Sequence, residues 1–492
     1  MTDTKDMRKL KNLREQHPSI TYRRYTVSPN TVGLTIEFEF ELAGGPTFKP
    51  RITIPCKDPR VDAVVNKLAF RLGLVELLSY WKTCCPAKII IEAAPLSTNE
   101  HPFWIGLLRK GLGEFFFLNN IPPSIDVRLE SDEATESNNE THGKQSFKHD
   151  LQQNQSELKH SASLVMVGGG KDSITSLEIL KTLRESTKAP FHAFTLNPIQ
   201  SSISAINTAD CDSHLTCTRT IDPKLFELNR LNYFNGHTPF SALLAFASSL
   251  TAYLNNIQFV FSSNESSASE GNTHYNGFEI NHQYSKSLEF ETEFRTLLEN
   301  LSVPVSYASL LRPLNELQIC KLFSRSKDYH SLFQSCNRTQ TIKAKRVAQE
   351  QGCLTDVAWC GLCPKCIFTF LCLACFLDTR ELAEIFGRLP SETDTFYSTV
   401  KDLAGQGEYK PFECVGTFEE VRACLQHLLQ ISPSPLATKQ GTIKDFENLL
   451  IGTTPTLNEL LHRWNSNTHL SPHHEALVRQ AVTTATGTYA NH

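Results

Sequence analysis

Nine consecutive residues carry the strongest structural signal of this chain: Val165-Met166-Val167-Gly168-Gly169-Gly170-Lys171-Asp172-Ser173. The apolar run that ends at Val167 is typical of a buried strand, and the three glycines after it predict a tight loop. Asp172 and Ser173 open a predicted helix, whose apolar residues recur at helical spacing at Ile174, Leu177, Leu180 and Leu183. A strand, a glycine loop and a helix N-terminus in this order form an anion site, because the first N–H groups and the helix dipole point at the loop.

Two common phosphate-binding motifs do not fit this loop. A Walker A loop has Ser or Thr after its lysine, where this chain has Asp172, and the dinucleotide fingerprint has a third glycine where Ser173 stands. The string instead resembles the Ser-Gly-Gly-x-Asp-Ser loop of the N-type ATP pyrophosphatases, with Gly168 in place of the leading Ser. That resemblance implies a grip on the pyrophosphate of ATP and transfer of AMP to an oxygen of the substrate. The alternative is an ordinary strand–turn–helix joint, against which three glycines followed by Lys-Asp-Ser argue.

Charge and composition exclude several classes of protein. The chain has 492 residues and a formal net charge of −4, so it has no basic footprint for a nucleic acid. Its first residues lack the apolar core of a signal peptide, and no run approaches the roughly 20 apolar residues of a membrane-spanning helix. We therefore expect a cytoplasmic protein without membrane insertion, whose 15 cysteines are reduced and in part bind metal.

The pattern along the chain predicts four regions. Residues 1–129 form an α+β domain, in which residues 35–42 alternate in polarity as a hairpin strand with one wet face does. Residues 130–162 are a polar linker or insertion. Residues 163–377 alternate strands and helices, among them a strand at 191–196 and a helix at 284–301. Their near-continuous apolar strands predict an α/β fold with a parallel sheet covered on both faces. Residues 378–492 are mainly helical, with a short strand-like insert at 411–416.

A long polar segment, residues 262–291, is the second unusual stretch. Ligands of parallel sheets bind at the carboxyl ends of the strands, where the glycine loop and residues 221–237 and 262–286 are expected to fall. The segment contains four candidate proton carriers, Glu265, His282, Lys286 and Glu289. Lys286 and Glu289 have an alternative role, since residues three apart on a helix can form an ion pair.

Three cysteines at a spacing of three, Cys360, Cys363 and Cys366, fit one tetrahedral metal ion if a fourth ligand arrives from elsewhere. We expect Cys336 to supply it, with Cys353 as the reserve, and zinc in a structural role. The alternative is a cysteine-rich helix start, in which Cys372 and Cys375 are small buried apolar residues.

A family resemblance rests on the loop and the cysteines together with several longer strings. The loop and the cysteine cluster are similar to those of the 7-cyano-7-deazaguanine synthases. From about residue 160 to 430 the chain looks more like the ATP-dependent UDP-N-acetylmuramoyl-L-alanyl-L-glutamate epimerases of the MurL type, within the PP-loop ATP pyrophosphatase (HUP) superfamily. The strings that carry this likeness are Gly168-Gly169-Gly170-Lys171-Asp172-Ser173, Asn235-Gly236-His237-Thr238-Pro239, Asn264-Glu265-Ser266-Ser267-Ala268, residues 281–291, residues 360–366 and residues 410–417.

The resemblance implies a HUP-type adenine-nucleotide α-hydrolase-like domain and a reaction that uses ATP. Adenylation of the glutamate carboxylate of UDP-MurNAc-L-Ala-L-Glu would make the α-proton removable, and hydrolysis would return D-Glu with AMP and pyrophosphate. The loop 168–173 would hold pyrophosphate with Mg²⁺, with Lys171 offsetting the charge and Ser173 and the loop amides binding oxygens. His282 and Lys286 are the expected proton-transfer pair, with Glu265 and His237 in reserve; His237 could equally bind a substrate carboxylate. One alternative is an adenylating ligase related to the deazaguanine synthases, and another is a non-catalytic nucleotide-binding protein that kept the fold. A tRNA-thiolating pyrophosphatase is a third, which the acidic balance disfavours, and the oligomeric state is left open.

Overall fold

A sheet of eleven strands organises the chain. The computed structural model describes residues 5–133, 161–336, 359–431, 434–436 and 441–487. The strands are β1 (Ser19–Pro29), β2 (Gly33–Leu42), β3 (Thr47–Phe48), β4 (Arg51–Pro55), β5 (Lys88–Leu96), β6 (Arg128–Glu133), β7 (Ser163–Met166), β8 (Phe191–Leu196), β9 (Ser213–Thr220), β10 (Phe259–Ser262), β11 (Thr273–Tyr275), β12 (Phe278–Ile280) and β13 (Ser306–Ser309). Strands β11 and β12 form a separate hairpin.

The order across the sheet is β13-β10-β7-β8-β9-β4-β2-β1-β5-β6, with β3 on β2. The first five strands are mutually parallel. Strands β4, β2 and β1 pair antiparallel with their neighbours on that side, and β5 and β6 return to parallel pairing. The predicted α/β class with a mostly parallel sheet is confirmed. Strand β4, from the predicted region 1–129, pairs antiparallel with β9, from the predicted region 163–377. One sheet therefore runs through both regions. The division of the chain into four regions stays a prediction.

Helices cover both faces of this sheet. They are α1 (Lys5–Gln16), α2 (Ala63–Trp81), α3 (His101–Gly111), α4 (Gly113–Leu118), α5 (Lys171–Thr187), α6 (Gln200–Ala209), α7 (Lys224–Arg230), α8 (Phe240–Leu254), α9 (Leu288–Asn300), α10 (Glu316–Phe323), α11 (Pro364–Ala374), α12 (Thr379–Phe386), α13 (Phe396–Lys401), α14 (Phe418–Leu429), α15 (Ile443–Glu447), α16 (Leu457–His462) and α17 (Pro472–Thr486). Leu164 belongs to one buried apolar cluster and its neighbour Val165 to the other, and successive residues of a strand point to opposite faces.

Most local expectations hold, and two need correction. The predicted strand at 191–196 and the apolar face of α5 are confirmed. The strand-like insert at 411–416 is wrong: no strand forms there in the described chain, because its side chains dock singly on other elements, as Phe412 does on Phe117 at 5.2 Å between ring centroids. The helix expected from residue 284 begins as a 3-10 turn (Tyr284–Lys286), and α9 starts only after its cap, Ser287. The interior of the polar stretch, 134–160, lies outside the described residues.

Among the helices of the described ranges, none combines enough length with enough apolar character to cross a membrane.

Candidate active site

The glycine loop joins β7 to α5 at the carboxyl edge of the parallel strands. Gly169 has a φ of +84°, and a Cβ at this position would lie 2.6 Å from the amide nitrogen of Ser202. Its carbonyl accepts a hydrogen bond of 3.0 Å from the backbone N–H of Gln334. At Gly168 no described atom lies within 4 Å of where a Cβ would stand, so a serine would fit there. The loop therefore needs glycine at 169, whereas its departure from the pyrophosphatase string at 168 is not imposed by packing.

A cavity of about 410 Å³ lies over this loop. Its size falls in the range of small-molecule sites. Helix α5 starts here with Gly170 as its cap residue, so its first N–H groups face the cavity rather than a capping side chain. The polar lining includes residues of the loop and of five other segments: Gly168, Gly170, Asp172, Ser173, Ser262, Ser263, Asn264, Lys286, Ser335, Lys365 and Cys414.

Lys171 points away from this cavity. Its ammonium group is buried and forms ion pairs with the carboxylates of Asp172 and Glu316. Burial by itself lowers the pKa of Lys171, but the two carboxylates outweigh it and raise the pKa well above its usual value. Burial likewise raises the pKa of Asp172, and Lys171 outweighs it and holds the pKa below its usual range. Lys171 therefore keeps Asp172 ionised at the cavity wall.

Lys286 lines the cavity, whereas Glu265 is buried beside it. The Lys286 ammonium donates a hydrogen bond of 2.9 Å to the Cys414 sulfur. Burial lowers the pKa of Lys286, but Cys414 and Glu265 outweigh it and raise the pKa. The Glu265 side chain is buried and accepts a hydrogen bond of 3.4 Å from the Ser267 hydroxyl. Glu289 does not pair with Lys286; it forms an ion pair with Lys110.

His282, His237 and Glu114 form one polar cluster. A single carboxylate oxygen of Glu114 lies 2.5 Å from Nδ1 of His282 and 3.2 Å from Nδ1 of His237. Burial lowers the pKa of His282, but hydrogen bonds to Cys414 and Glu114 outweigh it and raise the pKa to about 9. Burial and the neighbouring His282 lower the pKa of His237 to about 3. At neutral pH His282 is therefore protonated and His237 is neutral.

Cys414 joins this cluster to the cavity. Its half-buried side chain lines the cavity and contacts both Lys286 and His282. Burial raises the pKa of the thiol, but Lys286, Lys365 and His282 outweigh it and hold the pKa well below its usual range. These three cations therefore favour the thiolate form of Cys414.

Glu114 and Cys414 are the site residues that sequence reasoning missed. Glu114 precedes Phe115-Phe116-Phe117, an aromatic run that reads as core, and nothing local marks its carboxylate. Cys414 stands inside the string 410–417, where it was given no role. The available signal was a lone cysteine between Glu413 and Val415, which by itself assigns no chemistry.

The four cysteines predicted as metal ligands come together. The sulfur atoms of Cys336, Cys360, Cys363 and Cys366 all lie within 4.8 Å of one another. Tetrahedral zinc with Zn–S bonds near 2.3 Å places its sulfurs roughly 3.8 Å apart. The sulfurs of Cys360 and Cys366 are 3.7 Å apart and those of Cys363 and Cys366 are 3.3 Å apart, so the donor set fits such an ion. Cys353 lies outside the described residues.

The fold and the site define a class: an α/β protein in which an anion-binding glycine loop and a cluster of reactive side chains share one cavity. Comparison with known proteins narrows that class. The model of the MurL N-terminal domain matches residues 11–310, and that of the MurL C-terminal domain matches residues 332–439. The chain belongs to the MurL family.

Curated relatives agree with this assignment and cover most of the chain. The chain is 35% identical to the UDP-N-acetyl-alpha-D-muramoyl-L-alanyl-L-glutamate epimerase of Micromonospora sp. over 80% of its own length and 83% of the relative's. Identity to the protein of the same name from Salinispora tropica is 34%, over 74% of each chain. Identity to that from Xanthomonas oryzae pv. oryzae is 31%, over 84% and 86%. The family expected from the sequence strings is confirmed, while placement in the HUP superfamily stays a prediction.

Proposed function

We propose that this chain is an ATP-dependent epimerase that converts the terminal L-glutamate of UDP-MurNAc-L-Ala-L-Glu to D-glutamate, a step in building the peptidoglycan precursor in the cytoplasm. Three relatives that carry this epimerase name support the substrate and the reaction. The observation that carries the ATP dependence is the shared cavity. The loop residues Gly168 and Ser173 and the reactive side chains Lys286 and Cys414 all line it.

ATP solves a chemical problem in this reaction. The α-hydrogen of a carboxylate is barely acidic, because the enolate would carry two negative charges. Adenylation removes one charge and forms a mixed anhydride, so a positioned base can take the proton. Hydrolysis of the activated acyl group then returns D-Glu, and the ATP is consumed as AMP and pyrophosphate.

The loop 168–173 would bind the pyrophosphate through its backbone N–H groups and the Ser173 hydroxyl. Asp172 offers an ionised oxygen at the cavity wall, which fits a magnesium ion, since Mg²⁺ prefers oxygen ligands and binds phosphates through few protein groups. When bound, Mg²⁺ would offset phosphate charge. Lys171, which was expected to offset that charge directly, would act through Asp172, because its ammonium faces Asp172 and Glu316.

The proton carriers proposed from the sequence, His282 and Lys286, both contact the Cys414 sulfur. Both proton carriers therefore stand next to one sulfur, which itself lines the cavity. His237 is neutral and shares Glu114 with His282, so it would tune His282. Glu265 contributes negative charge near Lys286.

A structural zinc ion would be held by Cys336, Cys360, Cys363 and Cys366. All four positions of a tetrahedral ion would be filled by protein sulfurs, which is typical of a structural site. The carboxylate of Glu413 accepts a hydrogen bond of 2.8 Å from the backbone N–H of Lys365, which stands between two of these ligands. The zinc cluster would thereby fix the segment that carries Cys414.

The test is incubation of the protein with ATP, Mg²⁺ and UDP-MurNAc-L-Ala-L-Glu, followed by measurement of AMP and chiral analysis of the glutamate. We expect AMP and D-Glu together, with no change in substrate mass. An adenylating ligase would instead add the mass of an amine or ammonia to the substrate. AMP without D-Glu would contradict the epimerase proposal.

Two loop variants give a matched control. Gly169→Ala forces a side chain into left-handed backbone and against Ser202, at a cost of about 1–2 kcal/mol for the backbone alone, and we expect it to lose most ATP use. Gly168→Ser puts a side chain into open space and restores the pyrophosphatase string, so it should keep ATP use.

A further inference from the structure

Cys414 is surrounded in a way that the proposed epimerisation does not require. A base for an α-proton needs one acceptor and a route to the substrate. Here Lys286 at 2.9 Å and the His282 ring both face one sulfur, and Glu114 holds His282 from the other side. A nucleophile beside a histidine that is oriented by a carboxylate is the arrangement of side chains in covalent acyl-transfer enzymes.

The sulfur is also accessible. Cys414 is half-buried and lines the same cavity as Gly168, Gly170 and Asp172, where the nucleotide phosphates are proposed to sit. A carboxylate adenylated at this loop would present its acyl carbon inside that cavity. The thiolate held by Lys286, Lys365 and His282 is the strongest nucleophile among the side chains that line it.

We propose that Cys414 is a catalytic nucleophile, which captures the adenylated glutamyl group as a thioester on which the α-carbon is epimerised. This proposal rests on the proposed function, because ATP must first activate the carboxylate. The sulfur attacks the acyl carbon and forms the C–S bond. The bond from that carbon to the phosphate oxygen breaks, its electron pair leaves with AMP, and no proton moves in this step.

Acylation removes the negative charge of Cys414, and this prepares a base for the α-carbon. The Cys414 thiolate raises the pKa of both His282 and Lys286, so converting it to a neutral thioester lowers both. A neighbour that gives up its proton becomes the base for the α-carbon, which is one bond beyond the acyl carbon and hence next to both groups. The cation that remains stabilises the enolate oxygen, and return of a proton to the opposite face of the α-carbon, from that cation or from water in the cavity, completes the inversion.

The cycle closes by hydrolysis. Water attacks the thioester carbon, His282 accepts one of its protons, and the C–S bond breaks with its electron pair returning to Cys414 as the thiolate. A thiolate with a low pKa is a good leaving group, so the same cations that favour capture also favour release. The converging contacts around one sulfur thus account for activation, proton transfer and release together.

The test uses the wild-type protein with ATP, Mg²⁺ and UDP-MurNAc-L-Ala-L-Glu, quenched in acid during turnover and analysed by intact mass and peptide mapping. We expect an adduct of the substrate mass less one water on the peptide that contains Cys414. It should require ATP and be removed by neutral hydroxylamine. Cys211→Ser, which changes a half-buried cysteine outside the site, should retain both adduct and activity.

Cys414→Ala supplies the second measurement. We expect it to lower epimerisation by about 10³-fold or more while still releasing pyrophosphate once per site, which also shows that the loop is folded. Wild-type protein that makes D-Glu with no adduct at any quench time would overturn the thioester, and so would Cys414→Ala that epimerises within tenfold of wild type. Wild-type protein that makes neither AMP nor D-Glu would instead overturn the proposed function itself.

Discussion

The two sulfur sites of this protein use the same residue type for different chemistry. In the four-cysteine cluster the sulfurs face one another, and two of them also accept from backbone donors, such as the Cys363 N–H at 3.3 Å from the Cys360 sulfur. Cys414 instead faces the side-chain cations Lys286, Lys365 and His282 and opens to the cavity. Sulfurs that face one another are suited to a shared metal, whereas one sulfur among cations is suited to reaction. What surrounds a cysteine, rather than its spacing in the chain, separates the two roles.

Breaking the proposed zinc site should have the largest effect on stability. Cys363→Ser removes one of its four proposed ligands, and a structural zinc site is worth on the order of 10 kcal/mol to the fold that it closes. We expect zinc, measured by elemental analysis, to fall from about one equivalent per chain to near zero, with a large drop in the thermal midpoint. The control Cys424→Ala changes a buried core cysteine and should keep the metal at a cost of about 1 kcal/mol. Full zinc content in Cys363→Ser would remove it from the ligand set.

Removing the cation that donates to the Cys414 sulfur should affect the reaction rather than the zinc content. Lys286→Met should lower the rate of epimerisation by about 10²–10⁴-fold, the usual contribution of a group that moves or stabilises a proton, while zinc content stays unchanged. Lys110→Met is the matched control, because Lys110 is exposed and pairs with Glu289 outside the cavity. Full epimerisation by Lys286→Met, measured as D-Glu formed, would remove Lys286 from the mechanism.

The charge of His282 should make the free energy of unfolding depend on pH. Its pKa is raised to about 9 in the fold from about 6.5 in the unfolded chain, so its contribution is complete below pH 6.5 and lost as pH rises through 9. The stability advantage of wild type over His282→Gln, from urea unfolding, should therefore fall by about 3 kcal/mol between pH 6 and 10.

His237→Gln is the control for that profile. The pKa of His237 is lowered to about 3, so folded and unfolded states are both neutral at this residue above pH 6.5. Its stability difference from wild type should be flat between pH 7 and 10. An advantage of wild type over His282→Gln that grew with pH would contradict the charge assigned to His282.

Alkylation rates should distinguish Cys414 from the four cluster cysteines without any change of sequence. With iodoacetamide at pH 7, Cys414 should react at least about tenfold faster than Cys211, whose pKa burial raises to about 12. The four cluster cysteines should react only after a chelator has removed the metal. Peptide mapping measures all of these rates at once, and cluster cysteines that reacted as fast as Cys414 without a chelator would contradict the contrast.

The features that could be predicted from the sequence are those that depend on residues close together in the chain. Strand β7, the glycine loop and the apolar face of α5 follow from contiguous residues, and Cys360, Cys363 and Cys366 follow from their spacing. The parts that it could not predict depend on long-range contacts. Glu114 is 168 residues from His282, and Lys286 is 128 residues from Cys414. The Lys171 side chain points away from the cavity because it pairs with Glu316, which is 145 residues away. The local sequence therefore does not show whether this lysine forms a buried ion pair or contacts a phosphate.

The central claim is that ATP makes the α-proton of the glutamate removable. The direct measurement is the deuterium content of the glutamate after reaction of UDP-MurNAc-L-Ala-L-Glu with the protein, Mg²⁺ and ATP in D₂O. We predict D-Glu that carries deuterium at its α-carbon, and neither D-Glu nor deuterium when ATP is omitted. D-Glu without deuterium, or α-deuterium incorporation at the same rate without ATP, would contradict the account.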